Sequence, residues 1–289
     1  MNTTSIKPRR IRQSWHRPQI VTHLVIIFLI LLSLVPIYLM LTIAMKTSLQ
    51  YQHERWIISF PLRFSNYSAA WDILGRYILN TIAVGVIGFG GVLVLSVIGG
   101  YVFARMRFPF REQLYIAIIA LLMVPWVISF VPAYMLYNSF KFVINTWWAM
   151  IIPNVAAGPV FGIFLLRTFF AGIPEELYES ARIDGAGHGA LIWNITLPLS
   201  LPIIATLAIL NFLGTWNNFL WPMITINDQT KQMISVGLYL ISGVSGGAGS
   251  MEWGPLFAGY VLSAVPLVIL FFALGKFYVE GLIESGLKV

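Results

Sequence analysis

The chain has 289 residues, of which 58% are hydrophobic and only 10% charged, and it contains no cysteine. Soluble domains carry about 25% charged residues, so this composition excludes one and indicates an integral membrane protein. The missing thiols rule out disulfides, thiolate metal sites and cysteine nucleophiles, and the net charge of +7 is too scattered for a nucleic-acid surface.

Residues 1–20 form a basic N-terminal tail, and the apolar run after it is too long for a signal-peptide core and lacks a small-residue cleavage site. It is therefore expected to remain as the first membrane span. Six segments are apolar enough to cross about 30 Å of hydrocarbon as helices, near 21–45, 77–104, 114–137, 146–168, 200–224 and 256–278. Six crossings put both termini on one side. That side collects twelve Lys and Arg, including Arg9, Arg10, Arg105, Arg107, Arg111, Arg167 and Arg182, against six on the other. The positive-inside bias makes both termini cytoplasmic and accounts for most of the net charge.

The first external loop, ending near residue 76, holds Trp56 and Trp71 at positions suited to the membrane interface. The second span is crowded with small residues, and Gly85, Gly88, Ser96 and Gly100 would let neighbouring helices approach closely. Its GFGG run lies inside an apolar segment, and no GxxxxGK[ST] occurs anywhere, so a nucleotide-binding loop is not expected. Pro125, Pro132, Pro153, Pro159, Pro202 and Pro266 interrupt the later spans; each frees a carbonyl and bends its helix, for packing or for gating.

No span interior carries a convincing ionisable side chain, which weighs against proton or sodium coupling. HExxH is absent, and His16, His23, His53 and His188 lie on both sides of the membrane, so neither an enzyme nor a metal site is expected.

The one polar island is residues 173–202, IPEELYESARIDGAGHGALIWNITLPLSLP. Pro174 suits a helix start; Glu175 and Glu176 complement the positive end of the helix dipole; Glu179 and Arg182 can pair at i, i+3. Gly185 and Gly187 supply the permissive backbone that ends the helix. A second short helix is expected from about Gly189 to Leu197, giving a helix–turn–helix outside the bilayer.

The fifth span contains Asn211 near its middle and Trp216, Asn217, Asn218 and Trp221 near its outer end. Aromatic faces with amides around them suit sugar rings and hydroxyls. The same residues can equally serve as interface anchors and interhelical bonds. Asn211, Gly214 and Asn218 can share a face. The following external loop, about 226–255, is flexible by composition, with Gly243, Gly246, Gly247 and Gly249.

The polar island resembles the EAA loop of ABC-importer permeases: Glu-Ala-Ala, three residues, Gly, nine residues, Ile, one residue, Leu-Pro. Glu179, Ser180, Ala181, Gly185, Ile195, Leu197 and Pro198 match every spacing, with Ser180 replacing the middle Ala. The form IPEELYESARIDGA is similar to the second permease of the maltose-type carbohydrate branch, and the resemblance covers about residues 77–280, including ARMRFPFR.

It implies an all-α fold of six transmembrane helices with a cytoplasmic coupling helix–turn–helix at 173–198, a permease core at 77–278 and a C-terminal tail at 279–289. Coupling to a separate ATPase would fall to Glu175, Glu176, Glu179, Ser180, Ala181, Arg182, Asp184 and Gly185. The ATPase would bind ATP and Mg, so this chain needs no cofactor of its own. The resemblance further implies a second permease, two ATPases, a periplasmic solute-binding protein reached by the glycine-rich loop (or that loop as a plain connector), and a carbohydrate cargo, with acidic oligosaccharides such as alginate fragments within the range. A self-contained secondary transporter, or a membrane scaffold or enzyme without an ATPase partner, is the rival reading.

Overall fold

The computed structural model describes residues 18–140, 142–245 and 252–286, with side chains over 20–140, 142–243 and 252–277. Among these residues all the regular secondary structure is helical, with no strand. The first span is α1 (Pro18–Ala44), followed by the short α2 (Ser48–His53) and the 41-residue α3 (Ser65–Arg105). α4 (Arg111–Ala120) runs through a 3₁₀ turn (Leu121–Met123) to α5 (Trp126–Ser139), and α6 (Trp148–Ala171) follows. The polar island holds α7 (Glu175–Ile183), then α8 (His188–Leu191), a π-helical turn (Ile192–Thr196) and α9 (Leu197–Leu199). α10 (Leu201–Trp216), α11 (Leu220–Thr225), α12 (Ile234–Ser245) and α13 (Trp253–Gly286) complete the chain.

Four helices, α1, α3, α6 and α13, are each long and apolar enough to cross a membrane. Two bent pairs bring the number to six: α4 with α5, broken by 94°, and α8–α9 with α10, broken by 79°. The third expected span is thus a sharp elbow. Pro125 stands at its corner with extended backbone (ψ 125°), and having no N–H it cannot continue the hydrogen bonding of the preceding turn.

The second span starts at Ser65, twelve residues before the expected 77. Asp72 and Arg76 lowered the hydropathy there, but both point outward while Ala70, Leu74 and Ile78 bury the other face. Asn66 fastens this extension by donating to the carbonyls of Ala44 and Lys46, each at 2.9 Å. Lys46 is itself buried and donates to the carbonyls of Glu54, Arg55 and Ile57. Burial holds its ammonium below the ordinary lysine range, against the pull of Glu54.

α3 is the mast of the molecule. Its most extensive pairing is with α6, and α10, α12 and α13 pack on its other faces. Small residues permit the α3–α6 approach: a Cβ at Gly162 would stand 2.0 Å from Ser96 Oγ. The expected close approaches at Gly85 and Gly100 are present too, against Phe212 and Leu166.

The loop after the fifth span also departs from expectation. It contains α12, whose Ile234 and Ile241 pack with Leu74 and Ile78 of α3, because an apolar face preceding the glycines outweighs them. At its start Asp228 accepts from the Thr230 N–H and hydroxyl and pairs with Lys231 at 3.1 Å. These bonds, Thr230 foremost, lower its carboxyl pKa to about 2.

Candidate functional site: the polar hairpin and the fifth span

The hairpin at 173–199 is assembled on the end of α3. Glu175 opens α7, and its carboxylate receives Arg105 Nη1 at 2.6 Å and Arg182 Nη1 at 3.3 Å. Arg182 therefore pairs with Glu175 rather than with Glu179. Seven residues are close to two full turns, so 175 and 182 share a face, whereas 179 and 182 are offset. Arg105 does more than pair. Its Nη2 donates to the carbonyls of Phe170 and Ile173, closing the end of α6, and its guanidinium lies 4.2 Å from the centre of the Tyr178 ring.

Tyr178 is fully buried and hydrogen-bonds Thr196 at 3.0 Å. Thr196 in turn donates to the Leu191 carbonyl across the π-helical turn. Tyr178 sits in one apolar cluster with Tyr101, Leu166, Phe170 and Leu191. His188 Nδ1 lies 2.9 Å from the Tyr101 hydroxyl and ties α8 to α3. α7 is thereby locked to three helices through one face.

Its C-terminus closes as a Schellman motif: Ala186 N–H donates to Ala181 O at 2.9 Å and Gly185 N–H to Arg182 O at 3.0 Å. Gly185 has φ +84°, where only glycine is at ease. Gly187 has an ordinary φ of −78°, so the permissive backbone is needed at one glycine and not at both. The free face of the hairpin carries Glu176, Glu179, Ser180 and Asp184. Among them stand Leu177, Ile183 (87% exposed) and Trp193 (72% exposed). Together they form an exposed apolar patch rimmed by charge.

The fifth-span residues are arranged differently from the expected stripe. α10 ends at Trp216, so Asn218 lies beyond the helix; its Oδ1 accepts from Trp221 N–H at 3.4 Å and its carbonyl from Ser235 at 2.6 Å. Trp216 is buried and stacks on Phe212 with centroids 5.5 Å apart. Trp221 is buried against Phe130 and Tyr137 and donates through Nε1 to Ala149 O at 2.7 Å. Both indoles are thus engaged in packing within the chain, the second of the two roles open to them. Asn217 is exposed, with its amide donating to Leu213 O.

Asn211 exchanges hydrogen bonds with Asn154 of α6, at 3.0 and 3.3 Å, and Asn154 also donates to Thr215 at 3.3 Å. Of the loop glycines, Gly243 is exposed on α12; Gly246, Gly247 and Gly249 lie outside the described residues.

A family model described as "Binding-protein-dependent transport system inner membrane component" matches residues 96–282. The chain belongs to that family. It is 32% identical to the diacetylchitobiose uptake system permease protein NgcG of Streptomyces coelicolor, over 87% of this chain and 83% of that protein. It is 32% identical to the arabinooligosaccharides transport system permease protein AraQ of Halalkalibacterium halodurans, over 80% and 78%. Its fold is similar to that of a bacterial ABC transporter involved in the import of the acidic polysaccharide alginate, with a TM-score of 0.79, 21% identity, and 95% and 100% of the two chains covered.

As a transport permease, not an enzyme, the chain needs positioning residues rather than a catalytic centre, and four of these escape a reading of the sequence. Arg105 reads there as one topogenic charge among twelve. Tyr178 and Thr196 read as ordinary members of an amphipathic loop. Asn154 is hidden beside Pro153, although an amide within an apolar span is itself a signal that a partner exists. Among the described residues no group of acidic or histidine side chains could hold a metal ion. A pocket of about 330 Å³ between α3, α10 and α13 is lined by Val86, Phe89, Ile204, Phe212 and Leu270; without a donor or acceptor it is no place for a sugar.

Proposed function

We propose that this chain is one of two permease subunits of an ATP-driven importer for a carbohydrate, forming half of the pathway and coupling it to a separate ATPase through residues 173–198. A periplasmic solute-binding protein delivers the sugar, and the ATPase binds ATP and Mg. The observation that carries this reading is the asymmetry of α7. One face is clamped to α3, α6 and the π-helical turn by Arg105, Tyr178 and Thr196, while the other offers Leu177, Ile183 and Trp193 among carboxylates. Such a helix moves its three supporting elements when a partner pulls on it, and a loose amphipathic loop would not.

The relatives support the cargo class, since their names specify diacetylchitobiose, arabinooligosaccharides and sn-glycerol-3-phosphate. The alginate transporter, solved also in complex with an alginate pentasaccharide-bound periplasmic protein, supports oligosaccharides, acidic ones among them. On this reading both termini and the hairpin are cytoplasmic. The sugar passes along the exposed edge of α10, where Gly214 and Asn217 are open, and Asn211 faces it from the second rank. The residues from Gly243 to Gly249 reach toward the binding protein.

The test is substitution of Gly185. A valine at φ +84° costs upwards of about 1–2 kcal/mol and should turn the docking face away. Gly185→Val should insert and assemble, yet lose sugar uptake while the complex still hydrolyses ATP. Gly185→Asn, which tolerates this backbone, should restore most uptake. Normal uptake by the valine variant would sink the coupling assignment.

A further inference from the structure

Beside the hairpin, between the end of α3 and the start of α4, lies a polar pocket of about 560 Å³ lined by Arg105, Arg107, Arg111, Arg182, Glu175 and Glu179. Four arginines face two carboxylates, leaving an excess of two positive charges in the cup. Arg105 and Arg182 are engaged with Glu175, and Arg111 with Glu112 at 2.9 Å and with the Met106 carbonyl. Arg107 is exposed and makes no ion pair or hydrogen bond among the described residues. Arg105, whose side chain is only 7% exposed, keeps a buried Nε without a partner. No side chain caps the N-terminus of α4, which begins at Arg111; its unpaired N–H groups add positive potential there.

We propose that this cup seats the phosphate of an anionic phospholipid from the leaflet where the hairpin emerges. Its place in the chain argues for lipid over a soluble anion. α3 is a membrane span that ends at Arg105, and the next spanning pair begins at Arg111, so residues 106–110 turn at the boundary of the hydrocarbon. From the cup an apolar lane continues along one face of α4 and the turn after it, with Phe110 (72% exposed), Leu114 (51%) and Leu121 (57%). Headgroup and acyl chain would each find a surface of their own kind. Because Arg182 belongs to α7, a lipid held here bridges the hairpin to the turn between two spans. The proposal rests on the transport reading for the complex it is tested in, but its test measures lipid and not uptake, so the two can fail separately.

The assembled importer, purified in mixed micelles of phosphatidylcholine and phosphatidylglycerol, should retain phosphatidylglycerol selectively when weighed by native mass spectrometry. Arg107→Gln should weaken that retention about fivefold, and Arg107→Gln with Arg111→Gln about twentyfold or more. Arg107→Lys should keep most of it, and Arg63→Gln, at the opposite end of α3, should change nothing. Unchanged retention in the double glutamine variant would overturn the proposal. Millimolar inorganic phosphate that displaced the lipid would reassign the cup to a soluble anion. Lipid held by the isolated permease pair but lost when the ATPase binds would reassign it to an acidic segment of that partner.

Discussion

Asn211 and Asn154 show what one residue can say and what it cannot. An amide in the middle of a span must find a partner, because leaving it unpaired in an apolar medium costs about 1–3 kcal/mol. That much was legible in the sequence at Asn211. Which of the remaining helices supplies the partner was not, since it depends on how α6 and α10 are rotated about their axes. The structure answers with Asn154, in a reciprocal amide pair that Thr215 extends. If the pair is a tie between helices, Asn211→Leu strands the Asn154 amide and should lower the melting temperature of the complex. Asn154→Leu should do the same, and the double variant should lose about 1–2 kcal/mol less than the two losses added together. A melting series on the four proteins measures this. Additive losses would mean that the pair is not coupled. Transport by the assembled Asn211→Leu protein with altered sugar preference would place the amide on the pathway as well.

At the scale of the element, the hairpin at 173–199 was readable at its ends and opaque in its middle. Pro174, the acidic first turn and Gly185 mark α7 because each acts locally, through dipole, cap and backbone freedom. The π-helical turn at 192–196 gives no such mark: it sits in a continuous helical segment and is set by Thr196 reaching both Leu191 O and the Tyr178 hydroxyl. Similarly, Pro125 announced a break in the third span, but its 94° depends on neighbours far along the chain. π-Helical turns recur at functional sites, and this one joins α7 to the fifth span. Thr196→Val removes the hydroxyl and leaves Tyr178 a buried donor without an acceptor, at a cost of about 1–3 kcal/mol. Insertion and assembly should survive, and sugar imported per ATP hydrolysed should fall severalfold. Adding Tyr178→Phe removes the orphaned hydroxyl and should recover part of that ratio. An unaltered ratio in the threonine variant would mean that the hairpin transmits motion without this contact.

For the whole molecule, one helix fixes the distance between the two loops that matter. Asn80 of α3 donates to Thr230 O and Gln232 O of the loop after the fifth span, at 2.9 and 3.0 Å. Tyr101 of the same helix meets His188 of the hairpin. From 80 to 101 an α-helix rises about 32 Å, close to the ~30 Å of a bilayer's hydrocarbon. The two loops must therefore emerge on opposite sides, whichever way the protein is inserted. The surface between them suits this: α1 exposes every side chain from Ile20 to Tyr38, an apolar wall that only lipid or another membrane subunit can cover. The direction of insertion rests on the distribution of Lys and Arg, twelve with the hairpin and six opposite. Gly187→Cys and Gln229→Cys test it, because both positions are exposed and a Cβ at Gly187 meets nothing within 4 Å. The native chain has no cysteine to give background. In intact spheroplasts a membrane-impermeant maleimide should label position 229 and spare 187, and permeabilised membranes should label both. Labelling at 187 alone in intact cells would invert the protein in the membrane and move the hairpin away from any cytoplasmic ATPase.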